Sequence, residues 1–162
     1  MEHDDIPRKL LQDYGSLYEQ DQHKDVDITV GERRFRAHKA VLAVRSAVFA
    51  AMFEHEQMEE AKENRVTITD VDADVFEEML RFVYRGEWTG KTVQMASDLF
   101  VAADKYGVED LKSECEIWLI DKLQKVVTSA DAMVPSAVDL LVMADMHSAS
   151  RLKIECIKYI AR

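Results

Sequence analysis

Proline and glycine are nearly missing from this chain, which has 2 Pro and 5 Gly in 162 residues. With 48% hydrophobic and 32% charged residues, that scarcity excludes a collagen-like fibre, a disordered tail and a Gly-rich linker. Cysteine is as scarce as proline. Cys115 and Cys156, with no CxxC spacing, are too few for a disulfide framework and point to a reducing compartment. No apolar run approaches the roughly 18 residues that cross a bilayer, so no membrane partner is expected. The opening MEHDDIPRKLLQDY is polar and acidic and lacks the apolar stretch of a secretory signal. The expected location is intracellular, in the nucleus and/or cytoplasm. Positive charge is short as well: 21 Lys and Arg stand against 31 Asp and Glu, a net charge of −10. Such a surface repels phosphate backbones, so nucleic acid is not an expected partner. It suits plain solubility, or docking onto a basic protein.

A chain of this length holds about one domain and can bury a real core. Leu10, Tyr14, Leu17 and Tyr18 recur at helical spacing and predict an N-terminal helix over about residues 8–18, interrupted by Gly15. A lone amphipathic helix must bury its stripe somewhere, on its own domain or on another chain. Val26 to Val30 alternates apolar and polar, followed by Gly31-Glu32 and Arg33 to Ala37, which reads as a hairpin. Residues 65–69 are a third strand candidate. Between them Val41, Leu42, Val44, Val48, Phe49, Met52 and Phe53 follow helical spacing from His38 to Glu56. Asp72 is the expected N-cap of a helix carrying Val75, Phe76, Met79, Leu80, Phe82 and Val83, and Gly86 and Gly90 mark the loop after it. Three early strands among helices give an α+β chain with a minor sheet.

The second half repeats itself. Residues 96–115 recur 41 positions later as 137–156. Ala96, Asp98, Leu99, Val101, Ala103, Asp104, Leu111, Lys112, Glu114 and Cys115 return as Ala137, Asp139, Leu140, Val142, Ala144, Asp145, Leu152, Lys153, Glu155 and Cys156, and Trp118 answers to Tyr159. A period near 40 with two helical runs per unit is the signature of a helix-hairpin repeat. The second hairpin is expected to extend the layer begun by the first, with the cysteines in equivalent core positions.

Signatures of chemistry are absent from the sequence. It contains no GxxxxGK[ST], GxGxxG, HExxH or GxSxG, and none of its five histidines sits at metal-ligand spacing with another His or Cys. His38, between a strand and a helix, reads as a satisfied half-buried histidine. His147 and Ser148 read as a helix end and the cap of the next helix. Asp104 and Asp145 are repeat-related, which argues against acid–base work by that pair. No catalytic residue, metal or cofactor is expected.

One segment does suggest binding. Glu54 to Asn64 is acidic and holds an isolated Met58. An exposed thioether among carboxylates can fill a partner's apolar pocket while the acids fix orientation. The alternative is a solvated loop with Met58 folded onto its own core.

Several blocks together carry a resemblance. FRAHKAVLAVRSAVF (residues 35–49), then Met52-Phe53-Glu54-His55-Glu56, Asn64-Arg65-Val66, Phe82-Val83-Tyr84-Arg85-Gly86 and Ala102-Ala103-Asp104-Lys105-Tyr106, resemble a BTB/POZ domain. Within that family the chain is most similar to the speckle-type POZ protein group, whose members often carry an upstream MATH domain. Ala144 to Ala149 is similar to the short helical 3-box that follows the BTB domain there.

The resemblance implies a BTB/POZ fold, with a helical cluster flanked by a small, mainly three-stranded sheet and followed by a C-terminal helical hairpin. It implies a BTB/POZ domain over 1–124 and a 3-box-like extension over 125–162. It implies a homodimer through Leu10, Tyr14 and Leu17, with a dimer-centred charged pair at Asp25 and Lys39. It further implies binding to the N-terminal region of cullin-3, as a non-catalytic substrate adaptor of a ubiquitin ligase. The cullin motif, hydrophobic-x-Glu, falls on Met58-Glu59-Glu60, with Phe53, Lys105 and Tyr106 on the same face. The substrate protein is unknown and would be held by a region this chain does not contain. The sequence departs from the group's pattern at Gln57, an added residue before the motif, and in a longer segment from Gln124 to Ser136. The other reading is a BTB module for assembly or transcriptional co-repression without a ligase role.

Overall fold

A computed structural model describes residues 5–54, 63–125 and 134–161, without the side chains of Asp5 and residues 134–136. Among the described residues there are eight helices and one three-stranded sheet. The chain divides into two compact units, Met1–Thr89 with Lys105–Val108, and Gly90–Asp104 with Glu109–Arg162.

The first unit is built on the sheet. Strand β1 (Val26–Val30) lies in the middle, antiparallel to β2 (Arg33–Ala37) and parallel to β3 (Arg65–Ile68). The β1–β2 hairpin turns through Gly31, whose φ of 58° is cheap only without a Cβ. Val26, Ile28, Val30, Val66 and Ile68 are buried, and the residues between them face outward. Helix α1 (Asp5–Ser16) precedes the sheet. It starts and stops earlier than the expected 8–18: after Ser16, whose hydroxyl donates to the Asp13 carbonyl at 2.7 Å, the chain turns at residues 17–19.

The helical spacing from His38 to Glu56 resolves into two helices, α2 (Lys39–Arg45) and α3 (Ala47–Glu54), broken at Ser46. Ser46 is extended and buried. Its hydroxyl accepts the Phe49 N–H at 3.1 Å and donates to the Tyr106 carbonyl at 2.5 Å. Helix α4 (Ala73–Arg85) begins after Asp72 as expected, although the Asp72 side chain makes no capping bond, and ends at left-handed Gly86. Eight of its residues, Phe76, Met79 and Tyr84 among them, are buried.

The second unit is helical, and the repeat governs it. Helices α5 (Val93–Tyr106) and α6 (Glu109–Lys125) form one hairpin, α7 (Val134–Met146) and α8 (Ser150–Ile160) the next. Ala96, Leu99, Ala103, Leu111 and Cys115 are buried, and so are their counterparts Ala137, Leu140, Ala144, Leu152 and Cys156. Burial pushes both thiols up, Cys115 to about 12 and Cys156 to about 11, so both are inert at neutral pH. Even the polar contacts recur: Lys112 meets Asp104 at 2.5 Å and Lys153 meets Asp145 at 2.5 Å. Each hairpin turns through a left-handed residue at the same repeat position, Gly107 (φ 64°) and Ser148 (φ 56°). Ser148 is therefore the turn itself, and Ala149, not Ser148, is the N-cap of α8.

Asp104 joins the two hairpins. Its second oxygen takes His147 Nδ1 at 2.7 Å, and His147 stands edge-on to Phe100. Hydrogen bonds from Lys112 and His147 hold the Asp104 carboxyl below the usual carboxylate range of about 3.8. A depressed carboxyl contributes stability that is complete above its unfolded pKa and lost as pH falls through the folded one. Asp104→Asn should therefore destabilise the protein at pH 7 and flatten the decline in melting temperature below pH 4. A decline as steep as wild type would reject the assignment.

Candidate protein-interaction site

Segment 55–62 carries Met58 and Glu60. Both lie outside the described residues, but the two stems from which the segment leaves are well defined. The first stem is the end of α3. Half-buried Phe53 stacks on Phe49 at 5.9 Å, and Phe49 stacks on Tyr106 at 5.4 Å. Phe49 is 1% exposed, so this row of three rings is anchored in the core. The second stem is Asn64, left-handed at φ 55°, whose carbonyl accepts the Asp27 N–H at 2.9 Å and so starts β3 beside β1.

Lys39 ties the stems together. Its ammonium bonds Asn64 Oδ1 at 2.5 Å and lies 5.4 Å from the centre of the Phe53 ring. Asp25 sets Lys39 in turn, because its carboxylate accepts the Lys39 backbone N–H at 2.7 Å, at the start of α2. An anion at a helix N-terminus is favourable there. Asp25 and Lys39 thus meet within one chain, through the backbone amide, while the lysine side chain also links Phe53 and Asn64.

At the end of α5, Tyr106 meets the same rings and Lys105 stands beside it. The Lys105 ammonium pairs with Asp70, and the Tyr106 hydroxyl donates to Asp70 at 3.0 Å. Lys105 is half exposed, whereas Tyr106 is buried, and that burial raises its pKa. Tyr106 therefore supports the surface from beneath rather than offering its ring. Phe49, Asn64 and Asp70 complete the arrangement. Of these, Phe49 follows the apolar helical spacing and Asn64 tolerates the left-handed turn, while Asp70 carries no sequence signal.

The N-terminal stripe divides. Leu10 is 67% exposed, in company with Ile6 and Leu11. Tyr14 and Leu17 are half-buried in their own chain, and Tyr14 and Tyr18 both lie against Tyr84 of α4. Gly15 is buried where α1 approaches the end of α4, its Cα facing the Arg85 stem and the Tyr84 carbonyl. His38 is satisfied as expected and is more deeply buried than the half-burial expected, with Nδ1 on the Tyr84 hydroxyl at 2.7 Å and Nε2 on the Gln22 carbonyl at 3.1 Å.

A BTB/POZ domain profile matches residues 14–123, more than half of the chain. The chain belongs to the BTB/POZ domain family. The BTB domain of zebrafish PATZ1 shares its fold, with a TM-score of 0.57 at 23% identity over 71% of this chain and 92% of that one. BTB/POZ domains are protein-interaction modules, and the site described here fits that role. Rigid aromatic and charged stems frame a short segment, and among the described residues no cluster of His, Cys, Asp or Glu could hold a metal. Among the same residues no helix is long and apolar enough to cross a membrane.

Proposed function

We propose that this BTB/POZ protein is a homodimeric, non-catalytic adaptor that brings the N-terminal helical region of cullin-3 to a substrate protein for ubiquitin transfer. The reading places it in the speckle-type POZ group, with a BTB/POZ domain over 1–124 and a 3-box-like extension over 125–162. Met58 would enter an apolar pocket of the cullin, Glu60 would fix orientation, and Phe53 and Lys105 would line the contact above Tyr106. A buried apolar anchor ringed by polar contacts that exclude water is how such interfaces concentrate their energy.

The observation that carries the reading is the pair of stems. Residues far apart in sequence, Phe53, Lys39 and Asn64, converge where the Met58 segment leaves and rejoins the fold. Met58→Glu should cut affinity for a purified cullin-3 N-terminal fragment by about 100-fold, the scale of a hot-spot loss, without changing the circular dichroism. Calorimetry showing unchanged affinity would end the proposal.

The dimer would bury the exposed apolar residues of α1. Leu10→Asp should leave a monomer by light scattering, while wild type runs as a dimer. A monomeric wild type would rule the dimer out. Two ligase arms on one substrate raise effective concentration without new contacts.

A further inference from the structure

The outward face of the sheet lies outside this site and carries an unusual charge. Opposite Asp27 of β1 stand Arg36 of β2 and Arg65 of β3, and opposite Thr29 stand Arg34 and Thr67. The six form two rows across three strands, Arg36–Asp27–Arg65 and Arg34–Thr29–Thr67. The three arginines are exposed, while Val26, Ile28 and Val30 point the other way into the core. Asp27 is the one carboxylate in the two rows. Arg34 and Arg36 both lean on it, at 3.3 and 3.6 Å, and Arg36 also donates to the Lys24 carbonyl. Two guanidiniums carry far more N–H donors than one half-exposed carboxylate can satisfy. Arg65 has no ion-pair partner among the described residues. Glu32 and Glu63 lie at strand ends, outside the rows.

On a chain of net charge −10 this cationic face is an exception. We propose that it is a docking surface for an acidic peptide segment, whose carboxylates are taken by the outward donors of Arg36, Arg65 and Arg34. Guanidinium forks match carboxylates bidentately. Neighbouring strands lie about 4.8 Å apart, so Arg36 and Arg65 stand roughly 10 Å apart across the sheet, within reach of two acidic side chains on one extended peptide. The threonine hydroxyls beside them add donors. Nucleic acid fits less well, because a duplex engages a long row of phosphates and the rest of this surface repels it. The same repulsion confines an acidic segment to this face.

The test is fluorescence anisotropy with labelled hexaglutamate, against hexaglutamine and a single-stranded dodecanucleotide. Hexaglutamate should bind and hexaglutamine should not. The double variant Arg36→Glu with Arg65→Glu should weaken binding about tenfold or more, as reversal of two charge-assisted contacts implies. Arg65→Gln breaks no ion pair among the described residues, so it should keep the wild-type melting temperature and still weaken binding. Raising salt from about 50 to 200 mM should also weaken it. Three results would each overturn the proposal: no binding of hexaglutamate, binding that survives the double variant, or tighter binding of the oligonucleotide than of the peptide.

Discussion

Phe49→Ala should lower the unfolding free energy by about 3–5 kcal/mol, the range for deleting a fully buried ring, measured by urea denaturation. The ring is 1% exposed and stacks on both Phe53 and Tyr106, so its loss leaves a cavity and removes the spacer between two of the residues proposed for cullin docking. Domains of this size hold only about 5–15 kcal/mol in all, so the variant should unfold well below wild type. Cullin affinity should fall with it even at temperatures where the variant is folded. A loss under about 1 kcal/mol would mean that the neighbours close the gap.

Tyr84→Phe is the second large effect, and it works through unmet hydrogen bonds rather than volume. The Tyr84 hydroxyl accepts the His38 backbone N–H at 2.9 Å and contacts His38 Nδ1 at 2.7 Å, in a place where both residues are buried. The Gln22 carbonyl can only accept, so the hydrogen of His38 sits on Nε2, and the tyrosine proton then goes to Nδ1. Burial pushes the Tyr84 pKa up to about 12, so the hydroxyl keeps its proton throughout the working range. Removing it strands a buried N–H and a ring nitrogen, at a cost of about 1–3 kcal/mol in urea denaturation with the slope unchanged. A wild-type midpoint would show that the two groups find another partner.

Much of this architecture could be read from the residues. The repeat was legible because packing demands it. Where Ala96, Leu99, Leu111 and Cys115 are buried, their counterparts 41 positions on are buried too, and the Lys–Asp pairs return with them. The hairpin was legible from alternation and the glycine turn at Gly31, and the third strand from its own alternation. The break at Ser46 was not, because apolar spacing runs straight across it and one partner of its hydroxyl, the Tyr106 carbonyl, lies 60 residues away. The early end of α1 was hidden for a similar reason: Leu17 keeps the apolar spacing after the helix has stopped. At the site, Met58 and Glu60 were singled out from sequence, but the reach of Lys39 from Phe53 to Asn64 depends on the fold and left no trace in local pattern.

That reach gives the Met58 segment a fixed base. The base comprises α3, β3 and one lysine that bridges them, so the chain between has its ends pinned whatever its length. For a tether already closed, one more residue changes the closure entropy by only about 0.1 kcal/mol. An added residue there, as the resemblance reads Gln57, would therefore cost almost nothing in closure, which leaves the length of this segment open to change.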